Sequence, residues 1–450
     1  MSLSFGTDGV RGEANAELTP ELALALGRAA ARVFGGGRLV IGRDTRRSGR
    51  LIESAIAAGL ASEGCRVELA GVVPTPAVAW VSAREGVAGA VISASHNPFG
   101  DNGVKLFAPG GRKLSDALEA QFERELALIQ GAGANAVSNV PTGADVGVIV
   151  ERTDVAERYG EAVAATVGGR GLDDLFVVLD CANGAASDVA PAVLRGLGAT
   201  VEVLASNPDG CNINDGCGST HPANLQRAVL SLHADLGLAL DGDADRVVAV
   251  DHRGNLVDGD QLIAICALDM AARGLLRDNT VVVTVMTNLG FRLAMAERGV
   301  TVLETGVGDR YVLEALEAGG FSLGGEQSGH VIFADLATTG DGTLSGVQVL
   351  DVVCRTGRPL AELADEAMTR LPQVLRNVSV SNRRADIAEE LGEEIAAIES
   401  DLNDHGERGR VLVRASGTEP VVRVMAEAST TARAEAAVDR LARAVQRVCG

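Results

Sequence analysis

Three stretches of the chain repeat one pattern of apolar and polar positions. Each has an apolar run, a polar or Gly turn, an Ala/Leu-rich helical segment, a Gly stop and a second apolar run. They are Leu39-Val-Ile-Gly-Arg-Asp-Thr45 through Leu69, Phe176-Val-Val-Leu-Asp-Cys-Ala-Asn-Gly184 through Leu204, and Val281-Val-Val-Thr-Val-Met-Thr-Asn288 through Leu303. Each predicts a βαβ unit, because unbroken apolar strands belong to a sheet covered on both faces. In every repeat a later apolar run enters a polar loop: Ala94-Ser-His-Asn-Pro98, Asp241-Gly-Asp-Ala-Asp-Arg246 and Gly324-Gly-Glu-Gln-Ser-Gly-His330. Ligands of α/β sheets sit beyond the carboxyl ends of strands. Three such loops at one structural position predict three walls of one cleft.

The pattern changes after Leu371-Pro372. Strand-like 374–380, a helix near 385–399, strands at 409–413 and 421–426 and a helix over 431–448 predict a small α+β domain with an antiparallel sheet. Gly131 to Gly143 reads as a small-residue loop, a helix over 154–167 opens the second unit, and 251–259 is a turn into the third. The fold class is therefore α/β: three similar mixed α/β domains (1–152, 153–252, 253–372) plus a C-terminal α+β domain (373–450) around a central cleft.

Composition narrows the partners. The net charge of −20 argues against nucleic acid and against anionic membranes, so an anionic ligand needs a local island of Arg. Only 12 residues are aromatic, so the cores must be built from Ala, Val and Leu. Seven scattered cysteines without a CxxC pair, no basic-then-apolar leader and no 18-residue apolar run predict a cytoplasmic protein with reduced thiols.

The chain has two lysines, Lys105 and Lys113; every other basic residue besides the histidines is Arg. A buried Lys can be tuned to move a proton, whereas Arg cannot usefully titrate. Lys105 follows the Ser95 loop, where Asn-Pro and Asn-Gly turn signals bend the chain back near Asn102. In the second loop an extended backbone would point Asp241, Asp243 and Asp245 the same way. Three convergent carboxylates suit Mg²⁺ or Ca²⁺, and Arg246 and His252 stand where an EF-hand needs Gly and Glu. In the tail, Arg414-Ala-Ser-Gly-Thr-Glu-Pro420 with Arg423 could cradle a phosphate through guanidiniums, hydroxyls and the Gly417 amide. Cys211, Cys217 and His221 lack zinc spacing, neither lysine has P-loop flanks, and an aspartyl-phosphatase reading of Asp241-x-Asp243 is weakened by Asp245 and the lack of a downstream Lys.

In order along the chain, Phe5-Gly-Thr-Asp-Gly-Val-Arg-Gly12, Ser93–Pro98, Asp241–Arg246, Gly325-Glu-Gln-Ser-Gly-His330 and Arg414–Pro420 resemble the loops of the α-D-phosphohexomutases. Gln327, Val307-Gly-Asp-Arg-Tyr311 and Cys217-Gly-Ser-Thr-His221 look like the branch acting on glucosamine phosphates. The resemblance implies interconversion of glucosamine 6-phosphate and glucosamine 1-phosphate, supplying amino-sugar nucleotide and cell-wall precursor synthesis. It implies a phosphoserine at Ser95, one Mg²⁺ held by Asp241, Asp243, Asp245 and the Ser95 phosphate, and a hexose 1,6-bisphosphate as activator and intermediate. Arg11 would neutralise phosphoryl oxygens, Lys105 would relay the proton, and His330 would assist. Glu326 and Ser328 would bind sugar hydroxyls. Arg246, Arg414, Ser416, Gly417, Thr418 and Arg423 would complete the substrate site. A homodimer is expected from the family alone. Two other readings remain: a mutase acting mainly on glucose or mannose phosphates, and a sugar-phosphate binding protein without turnover.

Overall fold

A computed structural model of the chain describes residues 9–132, 140–382, 384, 386–416 and 420–450. They divide into two compact units, one of Met1–Val285 with Val300–Asp365 and one of Met286–Gly299 with Glu366–Gly450.

The first unit contains three sheets. The first sheet comprises β1 (Val10–Glu13), β2 (Arg38–Arg43), β3 (Arg66–Val72), β4 (Ala88–Ile92), β5 (Asp101–Ala108), β6 (Arg112–Lys113) and β7 (Ile149–Glu151). The second comprises β8 (Phe176–Asp180), β9 (Thr200–Leu204), β10 (Leu236–Leu240), β11 (Val247–Asp251) and β12 (Leu256–Val257). The third comprises β13 (Thr280–Thr284), β14 (Thr301–Thr305), β15 (Leu323–Gly325) and β16 (Val331–Phe333). The repeats share a strand order: β5-β4-β2-β3, β11-β10-β8-β9 and β16-β15-β13-β14. The first two strands of each repeat pair in parallel. The third strand joins the first in parallel on its other side, and the fourth returns antiparallel to the third. Strands β4, β10 and β13 are buried along their whole length, as continuous apolar runs require.

Small side chains take the place of aromatics in packing. The helix Pro20–Phe34 starts at Thr19, whose hydroxyl accepts the Leu22 N–H, and stops at Gly35 in the left-handed conformation. Its Ala23, Ala29 and Ala30 are buried in one core cluster with Ile52, Ile56 and Leu60 of the helix Gly49–Ser62.

Within the first unit, polar clamps hold the first two repeats together. Glu85 accepts hydrogen bonds from Arg38 at 2.9 Å, Arg152 at 2.6 Å and Arg158 at 3.1 Å. The Arg152 bond, against a smaller burial penalty, leads in lowering its pKa from 4.5 to about 2. The stabilisation is complete above pH 4.5, where an unfolded Glu is ionised, and is lost as pH falls toward 2. Glu85→Gln is expected to cost about 1–2 kcal/mol near neutral pH, solvent screening included. Urea unfolding of both proteins from pH 3 to 7 should show the difference shrinking as pH drops.

The second unit has a three-stranded antiparallel sheet of β17 (Gln373–Ser379), β18 (Arg410–Ala415) and β19 (Val421–Glu427), in the order β17-β19-β18. The helix Thr431–Cys449 packs Val438, Leu441 and Val445 on it. The expected single helix over 385–399 is instead two, Ile387–Glu390 and Gly392–Leu402. The break falls at Leu391 (φ −95°, ψ 11°), next to Gly392, a residue type that forms helix poorly.

Candidate active site

Each polar loop named from the sequence is the hairpin between the third and fourth strands of its repeat. The first hairpin carries Ser95 between β4 and β5, with Lys105 on the returning strand opposite Val91. Ser95 is fully buried, at φ +52°, a left-handed conformation rare for a residue with a Cβ. Its neighbours enforce it. The fully buried Arg46 donates to the carbonyls of Ser95 (2.9 Å), Asn97 (2.8 Å), Pro98 and Asp101 (2.9 Å), while its Nε binds Asp44 at 2.8 Å. Asp44 accepts Ser93 Oγ at 2.6 Å, and that oxygen accepts the Ser95 N–H at 2.9 Å. Asn214 Nδ2 also donates to the Ser95 carbonyl, at 2.9 Å.

The second hairpin brings three carboxylates to that serine. Ser95 Oγ donates to Asp241 Oδ2 at 2.6 Å. Lys105 Nζ lies 2.7 Å from Asp243 and 3.0 Å from Asp245, and Thr75 Oγ1 donates to Asp243 at 2.6 Å. The acids converge through a turn rather than the expected extended backbone: Ala244 has φ +56° and its N–H returns to the Asp241 carbonyl. Gly242 permits this approach, since a Cβ there would stand 2.5 Å from the Ser95 carbonyl oxygen.

The acids are electrostatically unequal. Burial, with Asp245 and Asp243 beside it, raises the Asp241 pKa to about 8. Burial opposes ionisation of Asp245 as well, but Lys105, His330 and Arg246 outweigh it and hold that carboxyl well below the usual range. Asp243 Oδ1 and Asp245 Oδ1 are buried without a hydrogen-bond partner. One oxygen from each acid lies within 4.8 Å of the others. Orphaned carboxylate oxygens in an all-oxygen cluster fit a hard divalent cation.

Around the acids, burial together with Arg246 and Arg11 lowers the His96 pKa to about 4. The ring is therefore neutral, and its Nδ1 lies 3.3 Å from Arg246 Nη1 and 3.5 Å from Ser95 Oγ. Arg11 lies on β1 opposite Gly103 of β5.

The third hairpin abuts the second. Val247 N–H donates to the Gly329 carbonyl, and a Cβ on Gly329 would stand 2.1 Å from the Val247 oxygen. His330 is buried, with Nδ1 3.9 Å from Asp245 and Nε2 3.4 Å from Asp309. Burial opposes protonation of His330, and the surrounding acids outweigh it and raise the pKa. The Gly340 N–H nevertheless donates to Nε2 at 3.1 Å, which fits a neutral ring with its own N–H on Nδ1. Glu326 is half-buried and Ser328 exposed.

In the second unit, Arg414 of β18 stands directly opposite Arg423 of β19. Burial and then Arg423 lower the Arg414 pKa. Like charges paired across strands are unfavourable by themselves, and an anion relieves them. Ser416 is buried beside them in sequence; Gly417 and Thr418 lie outside the described residues, as does Phe5–Asp8 of the N-terminal motif. Cys211, Cys217 and His221 form no ligand cluster: among the described residues only Asp241, Asp243 and Asp245 do.

Arg46, Asp44, Thr75 and Asn214 join the site from outside the motifs singled out in the sequence. Asp44 and Arg46 were within reach, because Arg43-Asp-Thr-Arg46 is the polar end of an apolar strand. Asn214, in the loop considered for zinc, and Thr75 carry no comparable signal.

The buried serine, the clustered acids and the lysine thus stand together on three repeats of one α/β unit. Family comparison matches four successive domains of phosphoglucomutase/phosphomannomutase: alpha/beta/alpha domain I at residues 2–130, II at 157–254 and III at 258–371, and the C-terminal domain at 375–444. The phosphoglucosamine mutase of Frankia alni is 53% identical over 99% of this chain and 98% of its own. A phosphoglucomutase/phosphomannomutase family protein from Burkholderia thailandensis superposes with a TM-score of 0.79 at 25% identity, covering 98% and 96% of the two chains. Aspergillus fumigatus N-acetylphosphoglucosamine mutase, in complex with GlcNAc-6P and magnesium, shares the fold (TM-score 0.71, 20% identity, 100% and 96% coverage). The chain belongs to the phosphoglucomutase/phosphomannomutase family.

Proposed function

We propose that the protein interconverts glucosamine 6-phosphate and glucosamine 1-phosphate through a phosphoserine at Ser95 and a hexose 1,6-bisphosphate. The observation that carries this reading is the 2.6 Å contact of Ser95 Oγ with Asp241, beside a lysine bridging Asp243 and Asp245. Relatives about half identical over the full chain, named phosphoglucosamine mutase, support the amino-sugar substrate.

The loop around Ser95 is fixed by Arg46 and Asn214, so its oxygen is presented without reorganisation. A sugar hydroxyl attacks the phosphorus of phosphoserine while the bond to Oγ breaks. Lys105, hydrogen-bonded to Asp243 and Asp245, relays the hydroxyl proton and returns it when the direction reverses. Arg11, Arg246 and neutral His96 offer donors to phosphoryl oxygens. Glu326 and Ser328 orient sugar hydroxyls, and His330 supports that loop. Arg414, Ser416, Gly417, Thr418 and Arg423 hold the phosphate that is not reacting. Asp241, Asp243 and Asp245 would hold Mg²⁺, which when bound offsets negative charge on the transferring group.

A coupled assay on glucosamine, glucose and mannose 6-phosphates, with Mg²⁺ and glucose 1,6-bisphosphate, tests the proposal. Glucosamine 6-phosphate is expected to turn over fastest. Preference for glucose or mannose 6-phosphate would reassign the substrate, and no turnover of any would leave a binding protein.

A further inference from the structure

Lys113, the second of the chain's two lysines, ends the β5–β6 hairpin that also carries Lys105, and its ammonium is paired with Asp309. Both side chains of that pair are 12% exposed. Asp309 faces the third hairpin: its carboxylate is 3.4 Å from His330 Nε2. Burial raises the Glu326 pKa, His330 opposes the rise and Asp309 adds to it. The turn ending at Asp309 and the loop bearing Glu326 therefore line the same place, and one imidazole separates it from Asp245.

The pair is not needed to anchor the hairpin. Thr338 Oγ1 donates to the Gly111 carbonyl at 2.7 Å, and Arg112 pairs with Glu317 at 2.9 Å. Arg310 joins Glu119 at 3.0 Å and also Asp116. These contacts already tie residues 111–119 to the helix Asp309–Gly319 and the strand loop after β16. Their cations are guanidiniums. Only at Asp309 is the cation a primary ammonium, the group that a 2-amino-2-deoxyhexose carries. Taking two charges out of water for a tie that neighbouring contacts already make gains little, so an exchangeable cation is a better account of the pair.

We propose that Asp309 is the counter-charge for the 2-ammonium of the sugar phosphate, and that Lys113 occupies its position until the sugar enters and displaces it. The inference rests on the amino-sugar reading above and assigns its specificity to one carboxylate. Glucose 6-phosphate and N-acetylglucosamine 6-phosphate, which lack an ammonium, gain nothing from Asp309.

The test is calorimetric titration of the full chain, with Mg²⁺, by glucosamine, N-acetylglucosamine and glucose 6-phosphates. Asp309→Asn is expected to lower the affinity ratio of glucosamine over glucose 6-phosphate about 10- to 100-fold, the loss of one charge-assisted hydrogen bond. Lys113→Met should raise affinity for glucosamine 6-phosphate by removing the resident competitor. The double variant Asp309→Asn with Lys113→Met leaves no unpaired buried charge, and it should show the same loss of discrimination if Asp309→Asn alone folds poorly. An unchanged ratio in the folded variants would overturn the proposal. Because binding is read directly, that failure is separable from the failure of the mutase reading, which is absence of glucosamine 6-phosphate turnover by the unaltered protein.

Discussion

Ser95→Ala should abolish turnover, by on the order of 10⁴-fold or more, because no other residue would accept the phosphoryl group. The fold should survive. Arg46 and Asn214 bind the Ser95 backbone carbonyl, not its side chain, and the hydroxyl's 2.6 Å contact is to Asp241. Intact-mass measurement of protein incubated with glucose 1,6-bisphosphate should find one phosphate on the unaltered chain and none on the variant. A variant that keeps both the phosphate and full turnover would remove Ser95 from the reaction.

Lys105→Ala is expected to show two separable effects. As the proton relay, its loss should lower kcat about 10²- to 10⁴-fold, and the pH profile of the remaining activity should change shape. As the cation between Asp243 and Asp245, 4% exposed, its removal strips buried carboxylates of their counter-charge. That should cost about 3–5 kcal/mol of stability. A divalent cation binding the same acids should restore part of that loss, so the melting temperature of the variant should rise more with Mg²⁺ than that of the unaltered chain. A decrease in kcat below tenfold would reduce Lys105 to an electrostatic and packing role.

The repeated units and their order are legible in the order of residues alone. Continuous apolar strands separated by Gly stops are a local signal, and it sufficed for β2–β3, β8–β9 and β13–β14. It also marked the polar ends of β4, β10 and β15, since a run of acids or a Ser-His-Asn-Pro turn after a buried strand is conspicuous without coordinates. How those ends meet emerges from the packed fold. A hydroxyl 146 positions from its acid comes within hydrogen-bonding distance only because equivalent hairpins of two repeats face one another, with Gly242 clearing the way. The turn that gathers Asp241, Asp243 and Asp245, the grip of Arg46 on four carbonyls and the pairing of Lys113 with Asp309 are likewise consequences of packing. Distance along the chain carries no information about such contacts, so no local pattern could announce them.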